Sequence, residues 1–285
     1  MAMAVAAERD DTDIVSVDSM QVYRHMSIGT AKPTIEEQQS VRHHLIDIVE
    51  PSEEFTVAIF QHHFQQTLSS IAMSSRCGLL VGGTGLYHRA AIDGLELAGS
   101  WPEIRQRLEA EADVEGTRSL HRRLVELDPI AARRMEPTNN RRVVRALEVI
   151  EGSGELFSSF GGGLDEYPES EVHQIGLRWP RGVLATRIEQ RVHRMMADGF
   201  LHEVEQVLTL EPSRTARQAL GYRELIDHLE ERCSLDEAID ATVTRTRQFA
   251  VKQERWFRRD PRIEWIDIES DPVVEVAPAI TKYLP

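Results

Sequence analysis

The chain is poor in cysteine, in aromatic side chains, in long apolar runs and in positive charge. Only Cys77 and Cys233 occur in 285 residues, far apart and without His or Cys companions at metal-ligating spacing. That argues against a disulfide scaffold and a zinc site, and makes a reducing cytoplasm the expected compartment. Both thiols are expected to be small, buried or half-buried side chains. No apolar run approaches the roughly 18 residues of a membrane helix, and no charged-then-apolar signal segment opens the chain, so no membrane partner is expected. Lys and Arg number 33 against 47 Asp and Glu, a net charge of -14, which argues against holding nucleic acid through bulk charge.

What cations there are stand in clusters. Arg133, Arg134, Arg141, Arg142 and Arg145 form one, and Arg245, Arg247, Lys252, Arg255, Arg258 and Arg259 another, while acidic residues dominate Glu103 to Glu115 and Glu224 to Glu237. Arg141 and Arg145 share a helix face by the i, i+4 rule, as do Arg187 and Arg191. Such pairs read either as solvated basic faces or as phosphate contacts. On the last long helix Lys252, Arg255 and Arg259 fall on one side with Trp256 nearby, a pattern suited to RNA, where cations position phosphates and a flat ring packs on sugar or base.

The apolar pattern predicts alternating strands and helices. Asp13 to Val17 is short and β-branched and reads as a buried strand, with Asp18 at its end. Ligands of open α/β sheets bind outside the carboxyl ends of strands, so Asp18 reads as a base, a metal ligand or a turn cap. Gly29 to Thr34 reads as a loop whose Lys32 either reaches a phosphate or is solvated. His43 to Ile48 reads as a short strand, with the histidine pair not spaced for a helical metal site. Phe60, Phe64, Leu68 and Ile71 recur at helical spacing within Phe55 to Ser75. Leu79 to Val81 reads as a second buried strand running into Gly82-Gly83-Thr84-Gly85, where backbone N–H groups and a hydroxyl suit an anion or a base. Helices are expected from Pro102, over Thr117 to Leu127 and over Asn139 to Ile150, with Gly152 to Gly163 as punctuation. A return strand is expected at His173 to Trp179, then helices from Arg187 through Phe200, over Tyr222 to Arg232 and over Leu235 to Arg258, and a last strand near Ile263 to Ile268.

Several motifs appear in a telling order: Asp18-Ser19-Met20-Gln21-Val22-Tyr23-Arg24, Gly29-Thr30-Ala31-Lys32-Pro33-Thr34, Leu80 to Tyr87, Arg141 to Val149, Leu220-Gly221-Tyr222-Arg223 and Arg247 to Arg258. Together they closely resemble the bacterial tRNA dimethylallyltransferase (isopentenyl-tRNA transferase) family over nearly the whole chain. The resemblance implies an α/β fold of the phosphate-loop NTPase type: a parallel sheet with flanking helices in residues 1–101 and 169–285, and an inserted helical subdomain in 102–168 that contacts tRNA. It implies transfer of a dimethylallyl group from its diphosphate to the exocyclic amine of the adenine beside the anticodon. Asp18 is then the general base and a candidate Mg²⁺ ligand, with Thr84 and Arg191 as further catalytic residues. Arg191 and Lys32 are candidates for the diphosphate. RNA contacts carry over to Asp18, Ser19, Met20, Gln21, Thr84, Arg105, Arg141, Arg142, Val143, Val144, Arg145, Gln218, Gly221, Tyr222, Arg223, Lys252, Gln253, Arg255, Trp256 and Arg258. The implied partners are the tRNA anticodon stem-loop and dimethylallyl diphosphate, with Mg²⁺ as cofactor and the protein a monomer.

Two departures from the family pattern stand out. In the last motif Val251 replaces a Lys and Arg255 a Thr. More importantly, no Gly-rich loop ending in Gly-Lys-Ser or Gly-Lys-Thr occurs, and Gly82 to Gly85 lacks the Lys and the spacing. Met1 to Arg9 reads as the tail of a helix without a cap, so Met1 is expected to be an internal methionine of a longer natural protein. Loss of the preceding strand is expected to leave Asp13 to Val17 an open edge. Two other readings stand beside the transferase: a non-catalytic tRNA-binding protein and a nucleotide-kinase-type phosphotransferase.

Overall fold

The structure, a computed structural model, describes residues 1–160, 164 and 166–284. Of the glycine-rich stretch expected after the third helix of the insertion, Gly161 to Gly163 lie outside the described residues. The chain divides into two compact units: one holds residues 1–93 and the stretch from Glu169 onward, the other Gly94–Pro168.

The first unit opens with α1 (Ala2–Ala7) and β1 (Thr12–Val17), then α2 (Ile35–Ser40), β2 (His43–His44), α3 (Val57–Met73), β3 (Cys77–Gly82) and α4 (Gly85–Asp93). β1 is the central strand of a parallel three-stranded sheet, with Ile14 opposite His43 of β2 and Val17 opposite Gly82 of β3. All six of its residues are buried, as a parallel strand covered on both faces requires. The expected open edge at Asp13 to Val17 is therefore not found: β2 and β3 flank β1 as the two edges of this sheet, and Val81 on β3 is exposed. The apolar stripe of α3 buries Phe60, Phe64 and Ile71, while Leu68, expected in the same stripe, is exposed. The strand expected from His43 is only two residues long, because the chain turns through Leu45 and Asp47 at φ 62° and 53°.

The second unit is helical: α5 (Pro102–Glu115), α6 (Thr117–Leu127), α7 (Pro129–Arg133) and α8 (Asn140–Ser153). Its own core gathers Leu108, Leu120, Leu124, Val143, Val144 and Leu147. The short α7 was not legible as a helix of its own. Asp128 caps it by accepting from Ala131 N at 2.9 Å, and Pro129 starts it.

The chain then returns to the first unit with β4 (Gln174–Arg178), α9 (Arg181–Ala197), α10 (Phe200–Thr209), α11 (Arg214–Arg217), α12 (Tyr222–Leu229), α13 (Leu235–Phe257), β5 (Ile263–Asp267) and α14 (Pro272–Thr281). β4 and β5 form a separate parallel pair, so the strands divide between two sheets. Leu79, Ile175 and Ile266, one from each of β3, β4 and β5, pack on the cluster of Val5, Val276 and Ile280. The helix expected to run from Arg187 through Phe200 is broken by Gly199 at φ +97°, a backbone angle that glycine adopts without strain. Met195 and Met196 pack against the main core as expected.

One buried carboxylate ties the three-stranded sheet together. Asp13 on β1 accepts from Arg76 Nε at 2.7 Å and is 2.8 Å from His44 Nε2. Burial pushes this carboxyl up, but the hydrogen bonds and charges of Arg76 and His44 more than offset that and hold it below its ordinary value. Its contribution to stability is therefore fully present above the unfolded pKa of about 4 and is lost as pH falls through the lower folded value. Arg76→Ala should destabilise the unit by about 3–5 kcal/mol, because an almost fully buried carboxylate loses its main counterion. Urea unfolding at neutral pH measures this, and a loss below about 1 kcal/mol would show that His44 suffices.

Candidate active site

The C-terminal ends of β1 and β3 lie side by side, and the candidate residues grow from them. At the end of β1, Asp18 Oδ1 accepts from Met20 N at 2.7 Å and Gln21 N at 3.2 Å. The cap reading and the catalytic reading are thus compatible, since one oxygen holds the turn and Oδ2 makes no hydrogen bond among the described residues. The turn is braced from below: Ser16 Oγ donates to Gln21 Oε1 at 2.8 Å, and Gln21 Nε2 donates to Thr30 O at 3.2 Å. The Gln21 amide is thereby spent on positioning the loop and is not a free RNA contact. Met20 packs its side chain on the core.

From β3, Thr84 Oγ1 stands 3.4 Å from both the N and the Oγ of Ser19, which joins the two strand ends. α13 closes over the glycine turn. Gln253 Nε2 donates to Gly83 O at 2.8 Å, and the Trp256 ring lies so close to Gly85 that a Cβ there would come within 2.2 Å of Trp256 Cδ1. Only glycine at position 85 lets helix and turn meet. Behind Thr84, α4 is fastened by a buried ion cluster in which Arg262 binds Asp93 at 2.6 Å and Asp260 at 2.7 Å, and Arg89 also binds Asp93.

Arg191 on α9 completes the group. Solvent reaches its side chain, yet the surrounding protein crowds it. That burial lowers its pKa, while the Asp18 carboxylate is near enough to oppose the shift. The guanidinium remains charged, with no ion pair among the described residues. One turn earlier, Arg187 lies 4.3 Å over the Trp179 ring. Among the described residues no three His, Cys, Asp or Glu side chains converge on a metal position. The donor set does not cage an ion.

Several expected contacts are turned inward. Lys32 is not available to a phosphate: its ammonium is buried, donating to Tyr23 O at 2.6 Å and Asp47 Oδ1 at 2.5 Å, and burial lowers its pKa. Tyr222 and Gly221 are buried. The Tyr222 hydroxyl donates to Glu203 at 2.5 Å, and its pKa is raised by burial and by that carboxylate. Val143 and Val144 are core residues of the helical unit. Arg105 and Arg145 both serve the buried carboxylate of Glu148, at 2.8 Å and 2.9 Å. Arg258 pairs with Glu254 at 2.6 Å, and Arg223 donates to Gln218. Of the cations expected to contact RNA, Arg141 and Arg142 at the start of α8 and Lys252 and Arg255 on α13 are exposed and have no ion pair among the described residues.

One organising residue escaped the sequence reading. Glu203 accepts from Ser27 N, Ile28 N and Gly29 N at 2.8, 2.7 and 3.0 Å, as well as from Tyr222. It fixes the loop that carries Thr30 and Ala31 against Gln21. The available signal was a Glu inside the apolar face of α10, between Phe200 and Val204.

With this geometry in place, comparison with known proteins is decisive. The profile of the IPP transferase family matches residues 21–260. The chain belongs to the IPP transferase family. The chain is 44% identical over 271 residues to a tRNA dimethylallyltransferase of Thermobifida fusca, covering 94% of this chain and 84% of that relative. A crystal structure of the full-length tRNA isopentenylpyrophosphate transferase of Bacillus halodurans is 37% identical with a TM-score of 0.68, over 98% of this chain and 90% of that one. A eukaryotic dimethylallyltransferase captured acting on tRNA shares the fold, with a TM-score of 0.77 at 22% identity, over 98% of this chain and 73% of that one. Within the IPP transferase family the α/β core with parallel strands is thus the shared scaffold. Among the described residues no helix is long and apolar enough to cross a membrane.

Proposed function

We propose that this chain is a tRNA dimethylallyltransferase that modifies the exocyclic amine of the adenine beside the anticodon. The observation that carries the reading is the joining of the carboxyl ends of β1 and β3 by Ser19 and Thr84 beside Asp18, in a chain 44% identical to a transferase of that name. The adenine amine is a poor nucleophile because its lone pair is delocalised into the ring. The base must leave the loop stack to reach the strand ends. As its nitrogen forms a bond to the first carbon of the dimethylallyl group, the bond from that carbon to the diphosphate oxygen breaks, and Asp18 Oδ2 takes the amine proton. Asp18 has one free oxygen, so we assign it the base rather than the metal. Thr84 offers its hydroxyl to the adenine. Arg191 meets the charge growing on the leaving diphosphate. Magnesium, when bound, neutralises part of that charge.

The protein works as a monomer in the cytoplasm in this reading, and its RNA contacts are Arg141 and Arg142 on the helical unit and Lys252 and Arg255 on α13. A second reading rests on one observation: these 285 residues contain no Gly-Lys-Ser/Thr loop, so apart from Arg191 no cradle for the diphosphate stands out. A chain so equipped could bind RNA without transferring. Radiolabelled dimethylallyl diphosphate, magnesium and an anticodon stem-loop RNA separate the two. Slow, magnesium-dependent labelling of the adenine that demands high diphosphate is the expected result. RNA binding without any labelling supports the second reading, and absence of both overturns each.

A further inference from the structure

The chain has eight phenylalanines, five tyrosines and four tryptophans, and of these Phe249 is the one whose side chain is exposed, at 44%. Its place gives that exposure meaning. Phe249 stands on α13 three residues before Lys252, four before Gln253 and seven before Trp256, which is one helix face. Gln253 and Trp256 on that face lie on the glycine turn that carries Thr84. Lys252 beside it and Arg255 further round the helix are exposed cations without an ion pair among the described residues. Trp256, the ring expected from the sequence to pack on RNA, is unsuited to it: it is half-buried, set against Gly85, with Arg259 6.0 Å from its ring centre.

We infer that Phe249 is a stacking platform for an unpaired base of the anticodon loop next to the adenine that enters the site. This inference rests on the tRNA reading above and deepens it. When the target adenine leaves the stack, its neighbour loses a stacking partner, and an aromatic face at the rim of the site replaces it. Aromatic faces interleaved with cations that hold the backbone are the means by which proteins grip single strands without reading sequence. The occupant is RNA rather than an apolar protein surface, because the ring stands singly among free cations on a chain that is otherwise strongly acidic.

The test uses the full chain and an anticodon stem-loop RNA carrying 2-aminopurine beside the target adenine. Phe249→Leu keeps apolar bulk and loses the aromatic face. It should weaken binding by about 5- to 100-fold, the worth of one base stacked on a ring, and abolish the fluorescence change of the 2-aminopurine. Phe249→Trp should restore both. The salt dependence of binding should be unchanged in Phe249→Leu, whereas Lys252→Ala should reduce the magnitude of the log–log slope by about 0.7. Binding by Phe249→Leu within about twofold of the parent overturns the inference and leaves the tRNA reading intact. So does unchanged RNA affinity with a raised KM for dimethylallyl diphosphate, which would place the ring against the prenyl tail. A parent chain that binds no stem-loop overturns both.

Discussion

Asp18→Asn should slow dimethylallyl transfer by roughly 10²- to 10⁴-fold while leaving RNA affinity nearly unchanged. The structure explains why the two effects should separate. The Oδ1 atom that holds Met20 N and Gln21 N is matched by the Asn side-chain oxygen, so the turn and its bracing by Ser16 and Gln21 survive the substitution. What is lost is the second oxygen, which has no hydrogen-bond partner among the described residues and is the one free to accept a proton. Single-turnover transfer with saturating RNA, alongside a direct binding measurement, reads the two quantities independently. Turnover within about tenfold of the parent would move the base elsewhere. A parallel loss of RNA affinity would instead mean that the turn had collapsed.

Replacing Arg191 by Ala should lower kcat/KM for dimethylallyl diphosphate by about 10²- to 10³-fold, the usual cost of removing one donor aimed at developing negative charge. Its guanidinium has no ion pair among the described residues, and burial by the surrounding protein lowers its pKa while the Asp18 carboxylate opposes that shift. Arg191→Lys should recover part of the loss, because it keeps the charge and gives up the planar fork that binds two phosphate oxygens at once. Stem-loop affinity should be the same in all three proteins. If Arg191→Ala transfers as well as the parent, the leaving group is held by residues outside this cluster.

The inward-facing residues show where motif reading and structure part. Tyr222, Val143, Val144 and Lys32 sit inside motifs that point to substrate, yet each is buried. A motif marks a segment, and half of any helix or turn faces the core. In Arg141 to Val149 the exposed Arg141 and Arg142 alternate with core valines, while Arg145 turns to Glu148. The same logic applies to α13, where Gln253 and Trp256 lock the glycine turn and leave Phe249 as the exposed ring.

Local pattern determined a good deal. The β-branched run before Asp18, the apolar spacing of α3 and the glycine turn after Leu80 are short-range signals. They placed β1, α3, β3 and the long α13 to within a few residues. Order and spacing of motifs were enough to indicate the family. Tertiary structure alone decided that β1 is central rather than an edge, because strand neighbours are chosen by contacts between distant segments: His43 and Cys77 flank Thr12 to Val17 from two sides. It also decided which charges are free. A side chain becomes an internal counterion or a ligand group according to which carboxylate the fold brings within reach. Glu148 claims Arg105 and Arg145, Asp47 claims Lys32, and no carboxylate of the described residues claims Arg191.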